Sequence, residues 1–376
     1  MEKDMRYYVQ ISNQVMLENL KNKDSLTREL LKYYRDVGKR EVCIIASGSS
    51  LNAALAVENF LIRYSGCHIE IMSPTEYMDY KKDLVKKYFF IVISQSGCST
   101  NIIESVRQMN RNHTEYVVLT GNSEGALKKE TGRLLEYGVG NETIDYVTLG
   151  FSTLMEYLIL FAVQVGKING VISEEEQQKL IHELEVGCRA NRDMYIQAER
   201  FTKEFHQQIL TMEKVMIIGD GANVGTAREA ALKFQETLKI PAVYYESEEF
   251  IHGSNMQLTP EYTVFFIDTN PKHDRMQDVF EATRQITRNV YMITNKKFRQ
   301  DPTVIYTENR IKNEITPLFT IVPFQYIAAV VTKEKNNFEC HPLFKKFEER
   351  IHCKTDDYET IMKEKIEKDK KGERDA

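Results

Sequence analysis

The chain alternates short runs of apolar, β-branched and aromatic residues with longer stretches that have the periodicity of amphipathic helices. The short runs predict five strands in each half of the chain. The predicted strands are residues 42–46, 67–72, 89–93, 116–119 and 134–138 in the first half, and 215–218, 242–245, 263–267, 290–293 and 304–306 in the second. Because these runs are apolar almost throughout, they predict α/β architecture with parallel sheets covered by helices on both faces.

The two sets of predicted strands keep a constant spacing along the chain. The run that begins at Val42 matches the run at Val215, and the run at Tyr116 matches the run at Asn289, with the same separation in both pairs (215 − 42 = 173; 289 − 116 = 173). A repeat that stays in register over this length predicts two copies of one α/β domain. The residues before Gly38 have the pattern of amphipathic helices, and the segment from Met362 is predicted to be a solvated tail.

The composition limits the kind of partner that the chain is expected to bind. Its 376 residues carry 50 Lys and Arg against 55 Asp and Glu, so there is no basic excess for binding nucleic acid. Because the chain has no run of about eighteen apolar residues and a polar N-terminus, we expect no membrane span, no signal peptide and a cytoplasmic location. Its 6 cysteines are scattered without a C-x-x-C pair, so we expect reduced thiols and no metal site.

Hydroxyl side chains are concentrated in two predicted turns of the first half. They are Ser49 and Ser50 after the first strand, and Ser94, Gln95, Ser96 and Ser99 after the third. Both turns follow predicted parallel strands and lead into predicted helices, so their hydroxyls and the helix N-termini can converge on one anion. One such turn alone is as well explained by serine and glycine forming turns and helix caps. The corresponding turns of the second half carry Asp220 and Asp268, so we expect one phosphate site per chain, in the first half.

The second hydroxyl turn lacks the Gly-Lys-Ser/Thr of a nucleotide-binding loop and the G-x-G-x-x-G of a dinucleotide-binding turn. No nucleotide or other cofactor is therefore expected. A small phosphorylated molecule is the predicted ligand.

Charged residues of the second half lie on one face of a predicted helix. Glu229, Lys233 and Glu236 have i, i+4 and i+7 spacing, which by itself favours a solvent-facing row of ion pairs. His252 follows a cluster of three glutamates between residues 246 and 249. A single histidine is more often structural than catalytic, so these residues gain a functional interpretation from the wider sequence pattern.

That pattern resembles the sugar isomerase (SIS) family. The segments ASGSSLNAA and ISQSGCSTNII carry the resemblance in the first half, and EAALKFQETLKIPAVYYESEEFIHG in the second is similar to the isomerase half of glucosamine-6-phosphate synthase and to ketosamine (fructosamine or glucoselysine) 6-phosphate deglycases. The resemblance implies two tandem SIS domains, each a five-stranded, flavodoxin-like parallel sheet. The expected boundaries are residues 1–40 for N-terminal helices, 41–170 for the first SIS domain, 171–210 for a helical linker, 211–335 for the second SIS domain and 336–376 for a charged C-terminal segment.

The resemblance also implies a role for each matching residue. The six turn residues would hold the sugar phosphate. Glu236 would move a proton between C1 and C2 of the open-chain sugar, because a carboxylate has two equivalent oxygens that can reach both carbons. His252 would open the sugar ring and, as in related enzymes, reach the site of a neighbouring subunit in a homodimer. Glu142 and Lys233 would contact the substrate, and Lys354 matches a lysine that forms a sugar imine.

The chain departs from the synthase pattern in two places. Glu2 follows the initiator methionine where the synthase has the nucleophilic cysteine of a glutaminase domain, and residues 147–150 lack the lysine of the family's Ser-Thr-Lys stretch. The preferred hypothesis is therefore a deglycase that cleaves a phosphorylated sugar-amine conjugate. An isomerase or ammonia-using aminotransferase stays open, as does a sugar-phosphate sensor in which Glu236 and His252 would have no role.

Overall fold

The computed structural model describes residues 3–83, 87–272 and 274–375. Within them lie two parallel sheets of five strands each. The first sheet contains β1 (Glu41–Ile45), β2 (His68–Met72), β3 (Phe89–Ser94), β4 (Tyr116–Thr120) and β5 (Leu134–Glu136), and the second contains β6 (Lys214–Gly219), β7 (Ala242–Glu246), β8 (Tyr262–Asp268), β9 (Val290–Thr294) and β10 (Val304–Tyr306). Each predicted strand is present within two residues of its expected ends, and the predicted α/β fold class is confirmed.

The two sheets have the same strand order. The first runs β2-β1-β3-β4-β5, and the second, read from its other edge, runs β7-β6-β8-β9-β10. β6 and β8 begin 173 residues after β1 and β3 (214 − 41 = 173; 262 − 89 = 173). The constant spacing in the sequence therefore corresponds to a repeated fold.

The helices connect the strands and cover the sheets. They are α1 (Met5–Lys21), α2 (Lys23–Val37), α3 (Gly48–Ser65), α4 (Thr100–Arg111), α5 (Leu149–Ile168), α6 (Glu174–Glu204), α7 (His206–Leu210), α8 (Asn223–Lys233), α9 (Ser247–Ile251), α10 (Arg275–Thr283), α11 (Pro317–Thr320), α12 (Val322–Glu334), α13 (Phe344–Glu348) and α14 (Tyr358–Asp375). The predicted amphipathic N-terminal segment forms α1 and α2, and α2 ends at Gly38, whose φ of 64° is in the left-handed region that glycine favours.

The described chain divides into two compact units. The first unit, with the first sheet, comprises residues 19–54, 61–174 and 339–375, and the second unit, with the second sheet, comprises residues 3–18, 55–60 and 175–338. The segment that the sequence predicted to be a helical linker is thus mostly the long helix α6, which belongs to the second unit.

The core of the first unit contains the sheet and the helix that follows β3. All six residues of β3 are buried, and Phe90 and Val92 pack with Ile102 and Val106 of α4. Apolar side chains on both faces of β3 are expected for a central strand of a parallel sheet. This packing fixes the carboxyl end of β3 and the start of α4, where the second hydroxyl turn lies.

Helix α5 is the one helix of the described residues that is long and apolar enough to cross a membrane, yet its apolar window is buried within the protein. Near its middle, Glu156 is buried and accepts a hydrogen bond of 3.1 Å from Asn19. Burial raises the pKa of this carboxyl well above its usual value. A core helix of a folded domain has this character, so length and hydropathy alone do not make α5 a membrane span.

The segment from Met362, which was predicted to be a solvated tail, is part of a helix. This helix, α14, begins at Tyr358, and its Tyr358 and Ile361 pack against the apolar core of the first unit. The amine of Lys365 donates to the Gly121 carbonyl at 3.1 Å. Lys363, Glu364, Glu367 and Lys368 of this helix are exposed, which explains why composition alone predicted a tail.

The second unit contains a π-helical turn. Residues Phe234–Leu238 continue α8 with the wider hydrogen bonding of a π-helix, in which the Lys239 amide donates to the Phe234 carbonyl, five residues back. Lys239 ends the turn in the left-handed region, with φ of 57°. Turns of this kind occur mostly as single interruptions of α-helices and are frequent at functional sites. Glu236 is in the middle of it.

Candidate functional site

The two hydroxyl turns lie next to each other at the carboxyl ends of the strands of the first sheet. β1 and β3 are paired in parallel, so their carboxyl ends are neighbours. The side-chain amide of Asn101, at the start of α4, donates to the Ser47 hydroxyl at 2.9 Å and links the two turns. Ser49 and Ser50 are in the first turn of α3, and both are buried. The backbone amides at the start of α3 have no partner within the helix, which is the usual setting for an anion.

The backbone of the second turn is fixed by close contacts. Gly97 has φ of 66°, and a Cβ atom at this position would lie 2.8 Å from the Asn122 carbonyl oxygen. The Thr120 hydroxyl donates to the Ser94 carbonyl at 2.8 Å and so ties the end of β4 to the end of β3. Only glycine combines this φ with this close approach. The serine side chains of the turn are therefore presented by a rigid backbone.

Glu142 is buried, and its two carboxylate oxygens accept hydrogen bonds from the start of α5. Oε1 accepts from the amides of Thr148 and Leu149 at 2.9 and 2.7 Å, and Oε2 accepts from Gly150 at 3.0 Å. Oε2 also accepts from the side-chain amide of Gln95. Burial raises the pKa of Glu142, and the backbone hydrogen bonds oppose that rise. These hydrogen bonds fix the Glu142 carboxylate, which in turn orients the Gln95 side chain.

Gly150 is required for this arrangement. A Cβ atom there would lie 2.5 Å from Nε2 of Gln95 and 3.0 Å from Oε2 of Glu142. Any larger residue would push the Gln95 side chain out of its position.

Lys354 lies beside the second hydroxyl turn. Its amine donates to the hydroxyls of Ser96 and Ser99 at 2.9 and 3.4 Å. Within the first unit, the structure thus brings together Gln95, Glu142, Lys354 and the serines of the second turn.

The corresponding turns of the second unit are closed by their own side chains. Asn270 donates to Asp220 at 3.0 Å, and Lys296 makes an ion pair of 3.1 Å with Asp268. Asn223 is fully buried and donates to the Thr269 hydroxyl at 2.7 Å. Burial raises the pKa of Asp268, although Lys296 lowers it in part. Two carboxylates would repel a phosphate at these turns, which favours a phosphate site in the first unit alone.

The charged row of the second unit runs from the core toward solvent. The side chains of Glu229 and Lys233 are 0% and 1% exposed, whereas Glu236 is 34% exposed. Lys233 makes ion pairs with both glutamates, at 3.5 Å to Glu229. A solvent-facing row, which the spacing alone favoured, would have three exposed side chains. The buried pair instead anchors the one carboxylate that reaches the surface.

His252 is exposed at the end of α9. Its ring makes no hydrogen bond within the described parts of the chain. Glu246 caps the start of α9 by accepting from the amides of Glu248 and Glu249 at 2.8 and 3.0 Å, and so holds the loop in place. The following Gly253 has φ of 145°, which glycine adopts readily.

Two matched regions decide the family. A model of the SIS domain matches residues 37–162 and 208–328, which together make up well over half of the chain and coincide with the two sheets. The chain belongs to the SIS family. The resemblance noted in the sequence is thereby confirmed for both halves.

Relatives of known sequence and structure agree with this assignment. The isomerizing glutamine–fructose-6-phosphate aminotransferase of Symbiobacterium thermophilum is 24% identical over 297 residues, which cover 77% of this chain and 48% of the aminotransferase. The chain therefore spans about half the length of such relatives.

Solved structures show the same fold. A candidate phosphosugar isomerase from Clostridium difficile 630 superposes with a TM-score of 0.83 at 20% identity, over 92% of this chain and 97% of the other. The C-terminal domain of glucosamine-fructose-6-phosphate aminotransferase from Francisella tularensis superposes with a TM-score of 0.72 at 18% identity, over 88% and 96% of the two chains.

Sequence reasoning missed two residues beside the first SIS domain. Tyr358 donates to Asp145 at 2.9 Å, and its ring lies 5.5 Å from the amine of Lys354. Lys365 reaches the end of β4, and its burial lowers its pKa. The i, i+3, i+7 spacing of Tyr358, Ile361 and Lys365 is the signal that could have identified a docked helix face.

Proposed function

We propose that this SIS protein cleaves an N-substituted amino-sugar 6-phosphate into a hexose 6-phosphate and a free amine. The proposal rests on the difference in burial along the charged row. Glu229 and Lys233 are buried, whereas Glu236 is partly exposed and makes an ion pair with Lys233. A carboxylate fixed in this way suits proton transfer to and from carbon. The phosphate is assigned to Ser49, Ser50, Ser94, Gln95, Ser96 and Ser99, which includes both hydroxyl turns.

The proposed reaction is balanced and needs no cofactor. For a ketosamine phosphate, Glu236 removes a proton from C1 while the C2 carbonyl oxygen takes up a proton from solvent, which gives an enolamine with a C1=C2 double bond and a hydroxyl on C2. The same carboxylic acid returns its proton to C2, and the nitrogen lone pair forms a C1=N double bond, which leaves a protonated imine. Water adds to this imine, one proton returns to solvent and the C–N bond breaks, which releases the amine and an aldose 6-phosphate. One carboxylate that reaches two adjacent carbons is sufficient for both transfers of a carbon-bound proton.

Glu142 and Lys233 act in this proposal through their neighbours. Glu142 orients Gln95, because its oxygens are engaged by backbone amides and by that side chain. Lys233 sets the position and charge of Glu236 from within the core. Direct contact with the sugar is therefore assigned to Gln95 and Glu236.

His252 is proposed to act as the ring-opening acid and base in a cytoplasmic homodimer with shared active sites. Its exposed ring lies in a unit whose edge strand β7 exposes Val243 and Tyr244, and Met256 nearby in the sequence is 88% exposed. Exposed apolar side chains in the same unit support the proposal that this unit binds another chain. A mixed dimer of Glu236→Gln and His252→Ala chains should regain activity that each inactive parent lacks. No recovery in mixed dimers confirmed by native mass spectrometry would place both residues in the same chain's site.

A substrate panel tests the chemistry. The purified protein is incubated with ketosamine and aldosamine 6-phosphates and with the same sugars lacking phosphate, and the products are read by mass spectrometry. We expect equimolar amine and hexose 6-phosphate from at least one phosphorylated conjugate and no product from its unphosphorylated counterpart. Interconversion of hexose 6-phosphates without amine release would instead indicate an isomerase, and tight binding without any turnover would indicate a sensor.

A further inference from the structure

Residues 352–355 cross the start of α4 and pair with the second hydroxyl turn. Ser99 and Lys354 form an antiparallel bridge. The amide of Thr100 donates to the Cys353 carbonyl at 3.2 Å, and the amide of Thr355 donates to the Cys98 carbonyl at 3.0 Å. These backbone contacts determine where the Lys354 side chain lies.

The hydrogen bonds around Ser96 and Ser99 leave both hydroxyls as donors. The Ser96 oxygen accepts from Lys354 at 2.9 Å and from the Cys98 amide at 3.2 Å. The Ser99 oxygen accepts from Lys354 at 3.4 Å and from the Ser94 hydroxyl at 3.2 Å. A serine oxygen has two lone pairs and one hydrogen, so each oxygen is filled as an acceptor. Among the described residues, neither hydroxyl hydrogen has an acceptor.

An anion fits this arrangement of donors. Two hydroxyl hydrogens and an ammonium group in one place supply charge-assisted hydrogen bonds to phosphate oxygens. Lys354 therefore has two roles. It contributes the positive charge, and by donating to Ser96 and Ser99 it directs their hydroxyl hydrogens away from itself. This differs from the role of an imine-forming lysine, which must reach a carbonyl carbon. In a hexose 6-phosphate, the phosphate and the reacting C1 and C2 carbons are at opposite ends of the chain.

Helix α14 holds Lys354 in place. The ring of Tyr358 lies 5.5 Å from the Lys354 amine, at the distance of a cation–π contact. The Tyr358 hydroxyl donates to Asp145 at 2.9 Å, and Lys129 makes an ion pair of 2.9 Å with Asp357. Tyr358 also packs on the apolar core of the first unit. The position of the ammonium group thus depends on the docking of the helix.

We propose that Lys354 is the cation of the phosphate site, that Tyr358 positions it, and that phosphate binding and the docking of residues 352–375 stabilise each other. The proposal rests on the proposed function only for the assignment of the hydroxyl turns to phosphate. Reciprocal stabilisation follows from linkage, because a ligand that binds the docked form better must favour that form.

Calorimetric titration of the full chain with inorganic phosphate tests whether the charge of Lys354 contributes to phosphate binding. Lys354→Met should weaken phosphate binding about tenfold or more, since hydrogen bonds to charged groups contribute about 1.5–3 kcal/mol. Lys354→Arg keeps the charge and should stay within a few-fold of wild type. Lys363→Met, at an exposed lysine of the same helix, is the matched control and should bind as wild type does. Equal weakening by Met and Arg, or no weakening by Met, would overturn the proposal.

Tyr358 variants separate positioning from packing. Tyr358→Phe keeps the ring face beside Lys354, whereas Tyr358→Leu keeps apolar volume without it. We expect phosphate affinity to be retained by Phe and reduced several-fold by Leu, and phosphate to protect residues 352–370 from proteolysis in wild type but less in the Leu variant. Identical phosphate affinities of the two variants would show that Tyr358 only packs.

Borohydride reduction distinguishes the cation from an imine. Wild-type protein is mixed with a hexose 6-phosphate and borohydride, and peptides are analysed by mass spectrometry. We expect no sugar adduct on Lys354, and an adduct there would overturn the proposal. Phosphate binding is measured without turnover, so loss of affinity in Lys354→Met together with inactivity on all conjugates would sustain this inference while rejecting the proposed chemistry.

Discussion

The turn after β1 and the turn after β6 share a glycine in the left-handed region and differ in the side chains beside it. Gly48 and Gly221 are equivalent by the repeat (221 − 48 = 173) and have φ of 57° and 50°. Next to them, Ser49 and Ser50 of the first unit correspond to residues 222 and 223 of the second, where alanine and a buried asparagine stand. The glycine fixes the shape of the turn, and its neighbours decide whether the turn is open to an anion.

The helices that follow these turns also differ in their buried side chains, which are apolar in the first copy and charged in the second. The positions of Glu229 and Lys233 in α8 correspond to Ala56 and Phe60 in α3 (229 − 173 = 56; 233 − 173 = 60), and all four side chains are buried. One copy therefore has an apolar helix and an open hydroxyl turn, and the other has a charged helix and a closed turn. A repeated fold can divide its chemistry between copies because a few side chains, and not the backbone, carry it.

The largest expected effect is on stability. Lys233→Met should lower the free energy of unfolding by about 3–5 kcal/mol, because it leaves the buried charge of Glu229 without its ion pair. Urea unfolding followed by circular dichroism measures the loss. The double variant Glu229→Ala/Lys233→Phe copies the pair found in α3 and should recover much of the lost free energy of unfolding. A single variant as stable as wild type would show that the buried charges are not coupled.

The next effect is on turnover. Glu236→Gln keeps the shape of the side chain but cannot accept a proton from carbon, so kcat should fall about a hundredfold or more. Glu213→Gln, at an exposed glutamate of the same unit, is the control and should keep wild-type kcat. Steady-state assays on the substrate that is cleaved in the panel provide the measurement. Near-normal kcat in the Gln variant would move the proton transfer to another residue.

The hydroxyl turn can be compared directly with its counterpart. Ser96→Ala should weaken the binding of inorganic phosphate by about 1–3 kcal/mol, the contribution of one charge-assisted hydrogen bond. Thr269→Ala alters the equivalent position of the second unit (269 − 96 = 173) and should leave phosphate affinity unchanged. Calorimetry on both variants decides the matter, since equal losses would contradict a single phosphate site in the first unit.

The smallest effect is the pH dependence of Asp268. Its raised pKa means that the folded protein keeps this proton to higher pH than the unfolded chain does. The contribution of Asp268 to the unfolding free energy should therefore fall as pH rises from about 4 through the folded pKa. Asp268→Asn removes this contribution, so its stability relative to wild type should increase over that interval. Asp193→Asn, at an exposed aspartate, should show no such trend.

The sequence predicted the elements whose pattern is local. Strands such as β3 and β8 were found because apolar runs and turn residues repeat within a few positions. The burial of the Glu229 and Lys233 side chains was not predictable. Helical spacing shows that residues share a face of a helix, but it does not show whether other parts of the protein pack against that face. The role of Glu142 depends on the start of α5, and the docking of Tyr358 depends on a surface formed by residues far away in the chain. Such contacts follow from the tertiary fold.

In the π-helical turn at residues 234–238, the number of residues helps to determine where Glu236 lies. A π-turn contains one residue more than the α-helical turn it replaces, so the direction of Glu236 is determined by a count of residues as well as by side-chain packing. Deleting one residue from this turn would favour a regular α-helical turn and change the position of Glu236 relative to Lys233. The proposed role of Glu236 is therefore open to a change that alters no side chain, since a single insertion or deletion in this turn is expected to move its carboxylate.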